Sequence, residues 1–396
     1  MTRLPNLVAT AAAHGPALQA ATELRDALLA KLGGRQPALV MFFASTAQPL
    51  AEVAPVLTAA FPCAQVLGAS TAGEFTELGD TKGSLAGVAI AGDFVVHAAL
   101  AEGLAGSAET AVASALESLP RSLEGYPYRT ALLLLDPLAG NGEEATLITA
   151  AMLGPDFPLA GGAAGDDLAM SRTEVSVGAR AATDALVIGL LFSTAPCGVG
   201  VCHGHEPISE PLTVTRAEGS KVHEVDGKPA WDVWVEHTRE AAAKVGLDPA
   251  NLSDDQLGGF LLRYEAGLAS GQEYKIRAPL SRDEHGGLGF ACGIPQGATI
   301  RITEGAPEGQ IAAARTAARR ARDKLDGRAT AGAIVFDCIC RNLILDERFR
   351  DAIGGMSEEL GGAPLAGFET YGEIALDAGD LSGFHNTTTV VLAIPK

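Results

Sequence analysis

One heptad occurs twice in this chain, as Gly68-Ala69-Ser70-Thr71-Ala72-Gly73-Glu74 and as Gly367-Phe368-Glu369-Thr370-Tyr371-Gly372-Glu373, both of the form G-x-x-T-x-G-E. What precedes each copy repeats as well. The apolar run Val40-Met41-Phe42-Phe43-Ala44, a helix-compatible stretch, Phe61-Pro62 and Gln65-Val66-Leu67 lead into the first. Ala333-Ile334-Val335-Phe336, a helical stretch through Leu360 and Pro364 lead into the second. Each unit reads strand, helix, strand, loop. A weaker third copy lies between them: Leu132-Leu133-Leu134-Leu135, a helix-compatible stretch, Phe157-Pro158 and Gly161-Gly162-Ala163-Ala164-Gly165-Asp166, which keeps the second glycine and an acid but lacks the threonine. Continuous apolar runs, without period-two alternation, belong to strands covered on both faces. The expectation is an α/β fold of layered strand-helix-strand repeats with mostly buried strands, arranged as two fused, pseudo-related halves.

The chain has 396 residues, beyond the size at which a single core usually stops growing, so two domains are expected. The turn Asp226-Gly227-Lys228-Pro229, followed by an amphipathic helix from Trp231 that ends before Gly246, places the boundary between 1–229 and 230–396. Ala185 to Phe192 reads as a further buried strand, and Gly309 to Gly327, with five basic residues, as a surface helix with a solvated basic face.

Charge and apolar patterning exclude several function classes. A net charge of −19 is unsuited to releasing counterions from a phosphate backbone, so nucleic acid is not an expected partner. Nothing approaches the roughly 18 consecutive apolar residues of a spanning helix, and Pro5, Asn6 and His14 break up the N-terminus, so neither a signal peptide nor a membrane anchor is expected. Six cysteines without a C-x-x-C pair suit a reducing compartment, and the expected location is cytoplasmic.

Three segments extend the heptads into a family resemblance over nearly the whole chain. Leu67 to Phe75, the glycine-rich stretch from Gly161, Val214-Thr215 and Val225 to Ala230 are similar in order and spacing to the N-terminal FIST domain. Cys338-Ile339-Cys340-Arg341, then Pro364 through Gly367-Phe368-Glu369-Thr370-Tyr371-Gly372-Glu373-Ile374, then Phe384-His385-Asn386-Thr387-Thr388 resemble the C-x-x-R, G-F-x-T-Y-G-E-I and F-H-N-x-T signatures of its C-terminal partner. Two departures are Cys340, where a small residue is common, and Ala69, where cysteine is often found. The resemblance implies a bacterial sensory module that binds a small ligand such as an amino acid. It implies a signalling partner, either a histidine kinase, a chemoreceptor or a cyclic-dinucleotide enzyme. Haem-binding members that report nitric oxide to a kinase supply the alternative.

Read chemically, the glycines of the heptad allow close backbone approach, Thr supplies a hydroxyl and Glu a charge. Glu74 or Glu373 facing a cleft would hold an ammonium group, with Arg341 or loop amides on the carboxylate. The competing structural role is a turn whose Thr and Glu satisfy backbone donors. The expected ligand-binding set is Gly68, Ser70, Thr71, Gly73 and Glu74 in the first copy. In the second it is Thr370, Tyr371, Gly372, Glu373, Arg341, His385 and Asn386, with Glu373, Tyr371, Arg341, His385 and Asn386 converging on one cleft. An enzyme is not expected. A hydrolase or transferase using Cys338, with His385 and Glu373 as base and orienting acid, is the catalytic alternative. Cys202-His203-Gly204-His205 lacks matching metal ligands, which leaves His203, His205 and His385 as candidate axial ligands should haem bind.

Overall fold

The computed structural model describes residues 5–271, 273–377 and 383–396. Three copies of one α/β unit build its centre. Unit I runs strand Leu7–Ala13, helix Ala17–Leu32, strand Leu39–Ala44, helix Leu50–Ala60, strand Gln65–Ser70, the hairpin Glu74–Thr76 with Gly79–Thr81, and strand Leu85–Ala91. Unit II repeats that order with strands Phe94–Glu102, Tyr128–Leu135 and Leu159–Ala163, hairpin Val175–Val177 with Arg180–Ala182, and strand Ala185–Ser193. Its helices are Ala108–Glu117 and Gly142–Leu153. Unit III comprises strands Gly198–His203, Thr330–Cys338 and Leu365–Thr370, hairpin Glu373–Leu376 with Gly383–His385, and strand Thr388–Pro395. The layered α/β class and the related N- and C-terminal parts hold, and the weak middle copy is a complete third unit.

Each unit makes a sheet in the order first, last, second, third strand, and the second and third pair in parallel: Leu39 opposite Gln65, Ala131 opposite Leu159, Ala333 opposite Leu365. Parallel neighbours need a crossover, which the helix between them supplies. That leaves the third strand as an open edge, and a hairpin from another unit covers it. The hairpin of unit I completes the sheet of unit III with Phe75 opposite Gly367. Unit III's completes unit II with Ile374 opposite Gly161, and unit II's completes unit I with Ser176 opposite Gly68. The exchange closes on itself. The inner faces of the three sheets share one core, to which unit I gives Phe43 and Leu67, unit II Leu134 and Val187, and unit III Phe336 and Phe368. The outer faces bury against each unit's own helices. Strands such as Ala185–Ser193 and Thr388–Pro395 are therefore buried at every position, which is why their sequences do not alternate.

Unit III is interrupted. Where units I and II pass from first strand to first helix in a short turn, residues 204–306 intervene before helix Pro307–Asp323. This insert is a separate antiparallel sheet with helices Ala230–Lys244 and Asp254–Arg263 and its own core around Trp234, Phe260 and Tyr264. The helix expected from Trp231 is present, and residue 230 lies inside the insert. Helix Pro307–Asp323 turns arginines outward, where Arg315 and Arg322 pair with Glu358 and Glu359, and buries a stripe of alanines against unit III.

Candidate functional site

The G-x-x-T-x-G-E loops lie where the chain leaves a third strand for the hairpin it lends to another unit. There the three units meet through a triangle of backbone hydrogen bonds. Ala72 N donates to Glu369 O at 3.0 Å, Tyr371 N to Ala163 O at 3.2 Å and Gly165 N to Ser70 O at 2.8 Å. At about 1 kcal/mol net each, these bonds matter less for energy than for register. The glycines are needed for approach. A Cβ on Gly73 would sit 2.6 Å from the Glu369 carboxyl, and one on Gly165 2.6 Å from Ala72 N.

The acid of the heptad fastens the borrowed hairpin. Glu74 accepts from the Thr71 hydroxyl with one oxygen, and with the other from Ser84 N at 3.2 Å and Ser84 Oγ at 2.6 Å. Glu373 does the same, accepting from Thr370 Oγ1 at 2.5 Å and from Thr388 N at 3.1 Å. In unit II the acid comes from elsewhere: Asp136, at the end of the second strand, accepts from Asp184 N at 2.6 Å and from the Thr173 hydroxyl. Asp166, the acid that the sequence aligns with the heptads, instead folds its own loop by accepting from Met170, Ser171 and Arg172 N. Glu74 and Glu373 both have no exposed surface. Burial pushes Glu74 up to about 7, and it pushes Glu373, next to the Cys338 thiol, well above the usual carboxylate range. Gly68 and Ser70 are likewise internal, Ser70 Oγ accepting from Glu174 N at 2.8 Å.

The other polar residues of the C-terminal signatures separate into two groups. Arg341 is fully buried and spends its guanidinium inside unit III, with Nε on Asp337 Oδ1 at 2.7 Å, Nη2 on Gln310 O at 2.9 Å and Nη1 on the Gln310 side chain. Asp337 also accepts from Thr389 Oγ1 at 2.8 Å. His385 pairs with Glu373 across the hairpin and is held neutral, its value depressed to about 3 by burial and by Lys275 and Arg277. Burial depresses His203 to about 4, and it holds His205, 3.7 Å from Glu265, well below the usual histidine range. Among the described residues no three His, Cys, Asp or Glu side chains stand together as metal ligands.

Tyr371, Asn386, Cys338 and Cys340 do share a space. They line a cavity of ≈ 400 Å³ where the insert leans on unit III, together with Ile339 and Leu343 of helix Ile339–Leu345 (which also carries Cys340), Leu261, Leu262 and Gly258 of helix Asp254–Arg263, and Ala278 to Leu280 and Ala291. Unit II closes one side with Pro137, Leu138, Leu168 and Met170. Leu138, Leu168, Met170, Leu280 and Leu343 are 40–56% exposed, so the mouth is apolar and open. Leu168 and Met170 stand on left-handed backbone with Asp167, at φ 67°, 49° and 52°, a conformation that costs each such residue about 1 kcal/mol or more. Tyr371 holds that loop: its hydroxyl donates to Asp166 Oδ1 at 2.6 Å and accepts from Leu168 N at 2.8 Å. Asp167 in turn accepts from Ser45 Oγ at 2.9 Å and Thr46 N at 2.8 Å of unit I. Burial and Asp166 push the Tyr371 phenol up, so it stays a donor. Two other hollows, ≈ 410 and ≈ 480 Å³, flank Pro155 and Pro158 and contain no heptad or signature residue.

Of the set expected on one cleft, Tyr371 and Asn386 line the cavity, whereas Glu373, His385 and Arg341 lie off its surface. Cys338 is the nucleophile of the catalytic alternative, and burial pushes its thiol well above its usual range, the opposite of what an attacking thiolate needs. The residues that sequence reasoning missed are the apolar ones from the insert and unit II. Leu168 and Met170, two large apolar side chains in a short turn after Gly165-Asp166-Asp167, are the one local signal that pointed to them.

A family model described as the FIST N domain matches residues 38–228, and one described as the FIST C domain matches 232–376. The chain is similar to an uncharacterized protein of Mycobacterium bovis, 32% identical over 181 residues, which are 45% of this chain and 46% of the relative. An uncharacterized protein of Mycobacterium tuberculosis is 29% identical over 188 residues, 46% of this chain and 48% of its own. One from Methanocaldococcus jannaschii is 26% identical over 200 residues, 49% and 38% respectively. The chain thus spans less than half the length of each of these relatives.

Proposed function

The chain belongs to the FIST family, whose domains are generally sensory modules of signal transduction, and on that premise we propose that it binds a small molecule in the cavity between its insert and unit III and reports the occupancy to a separate signalling protein. The observation that carries this reading is the position of the cavity. Signature residues from two C-terminal segments, Cys338 to Cys340 and Asn386, meet the heptad's Tyr371 on its wall, and the strained loop 166–170 of unit II forms its rim. A ligand pressing on Leu168 or Met170 acts on a loop that Tyr371 ties to unit III and Asp167 ties to unit I, so one binding event reaches all three units. A histidine kinase, a chemoreceptor or a cyclic-dinucleotide enzyme are the classes of partner that such a sensor serves. The reading is non-catalytic, because burial holds the Cys338 thiol protonated and His385, depressed to about 3, is too weak a base to take that proton. Haem is the weaker reading, since His203, His205 and His385 all lie away from the cavity lining.

The test uses Gly258→Trp. Gly258 lies on helix Asp254–Arg263 at the cavity, and no atom lies within 4 Å of the place its Cβ would take, so a large side chain fills the mouth without displacing structure. A small-molecule library is screened by thermal shift against both proteins. Compounds that stabilise the parent and lose that effect in Gly258→Trp support the cavity as the ligand site; compounds that stabilise both equally place the site elsewhere.

A further inference from the structure

The chemistry of the cavity wall selects the ligand. None of the residues lining it carries a charged side chain. Its polar groups are already engaged: Tyr371 OH gives and takes one hydrogen bond, Asn386 Nδ2 donates to His385 O at 3.1 Å, and Asn386 Oδ1 accepts from Ala278 N at 3.4 Å. Among the described residues, no buried side-chain nitrogen or oxygen without a partner belongs to the lining. The charged groups adjoining the wall are committed elsewhere: Asp166 accepts from Tyr371 and from the amides of its own loop, Arg277 pairs with Glu143 and donates to Phe384 O, and Arg341 pairs with Asp337. The surface that faces the space is predominantly apolar: aliphatic carbon, the sulfur of Cys338, Cys340 and Met170, and the Tyr371 ring. Buried charge without a partner is among the most unfavourable arrangements in a protein, and this wall offers none. A zwitterionic amino acid seated inside would leave its ammonium and carboxylate without charged partners there.

We infer that the ligand is an uncharged, predominantly apolar molecule with at most one or two hydrogen-bonding groups, an inference that rests on the cavity being the ligand site. Its size follows from volume. An apolar cavity of about 150 Å³ holds one benzene, so ≈ 400 Å³ takes a body of about two to three rings or an equivalent aliphatic volume. Sulfur beside aromatic carbon is a favourable and adaptable contact, which suits a ring-bearing ligand. The single polar handle is Asn386, whose Oδ1 keeps one lone pair after accepting from Ala278 N, while its amide is taken up by His385 O and the Cys292 side chain.

The experiment measures fluorescence of N-phenyl-1-naphthylamine, a neutral apolar probe, with parent, Gly258→Trp and Leu280→Arg proteins. Competitors are dimethyl naphthalene-2,6-dicarboxylate and the parent dicarboxylate. The latter carries a charge at each end, so no orientation keeps both out of the cavity. The inference predicts that the probe binds the parent protein and that Gly258→Trp weakens it by about tenfold or more. The diester should displace it at least about tenfold better than the dianion. Leu280→Arg, which places a cation on the exposed rim, narrows the gap between diester and dianion. If the dianion or leucine competes as well as the diester and Gly258→Trp blocks it, the cavity stands as the site and the uncharged class is overturned. If the probe binds equally to the parent and Gly258→Trp, the site itself is refuted. If no probe binds below millimolar concentration while library compounds are still lost in Gly258→Trp, the apolar class alone falls.

Discussion

Glu74→Gln isolates the heptad's acid as a structural fastener. In the folded protein Glu74 has no exposed surface, and burial outweighs its hydrogen bonds from Ser84 and Thr71 to raise its value from 4.5 to about 7. A carboxyl with a raised folded value binds its proton more tightly in the folded state. Its contribution to stability is complete below the unfolded value near 4.5 and is lost as pH rises through about 7. The rise from 4.5 to about 7 corresponds to about 3 kcal/mol. Gln keeps the shape. Its oxygen can face Ser84 N and Oγ and its amide the Thr71 hydroxyl, and it does not titrate. Urea unfolding of both proteins between about pH 4.5 and 8 should show near-equal stability at the acidic end. The variant should gain on the parent by about 3 kcal/mol at the upper end. A difference between the two proteins that stays constant across this range would refute the assignment of a protonated, hairpin-fastening Glu74.

Other expectations follow from the same geometry. Arg341→Met strands Asp337 in the interior and should cost about 3–5 kcal/mol in unfolding free energy, while leaving affinity for cavity compounds unchanged by titration. Gly73→Ala forces a methyl within 2.6 Å of the Glu369 carboxyl at the junction of units I and III, and should lower stability by about 1–3 kcal/mol in thermal unfolding. Gly258→Ala, on an exposed turn of helix with open space around it, should raise stability by up to about 1 kcal/mol. Tyr371→Phe removes the hydroxyl that receives Leu168 N and donates to Asp166, and hydrogen exchange should rise selectively over residues 166–172.

The sequence carries the parts of this fold that depend on local pattern and hides those that depend on distant pairing. Buried strands such as Leu39–Ala44 and Thr330–Cys338 announce themselves as apolar runs, and the glycine spacing marks the loops where the units meet. The exchange of hairpins does not show, because segments of three residues such as Glu74–Thr76 and Val175–Val177 carry no period and their partners lie in another unit. The insert escapes notice for a different reason. Its turn and the helix Ala230–Lys244 have the ordinary signature of a new domain, and nothing local shows that the chain returns at Pro307 to finish unit III. Arg341 looked available for a ligand because charged residues attract attention singly. Its partner Asp337, four residues earlier, sits at the end of an apolar strand and marks an internal pair. The cavity was hidden because its wall is ordinary: leucine, alanine and proline from separate segments have no chemical signature until folding assembles them.

The most direct measurement of the central claim is a crystal structure of the protein grown with a compound that stabilises it and fails to stabilise Gly258→Trp. The account predicts ligand density in the cavity between helix Asp254–Arg263 and residues Cys338 to Cys340, in contact with Tyr371 and Asn386, with the loop carrying Leu168 and Met170 displaced relative to the unliganded protein. Density at the Pro155 and Pro158 hollows, or against Arg341 with its pairing to Asp337 broken, would contradict it.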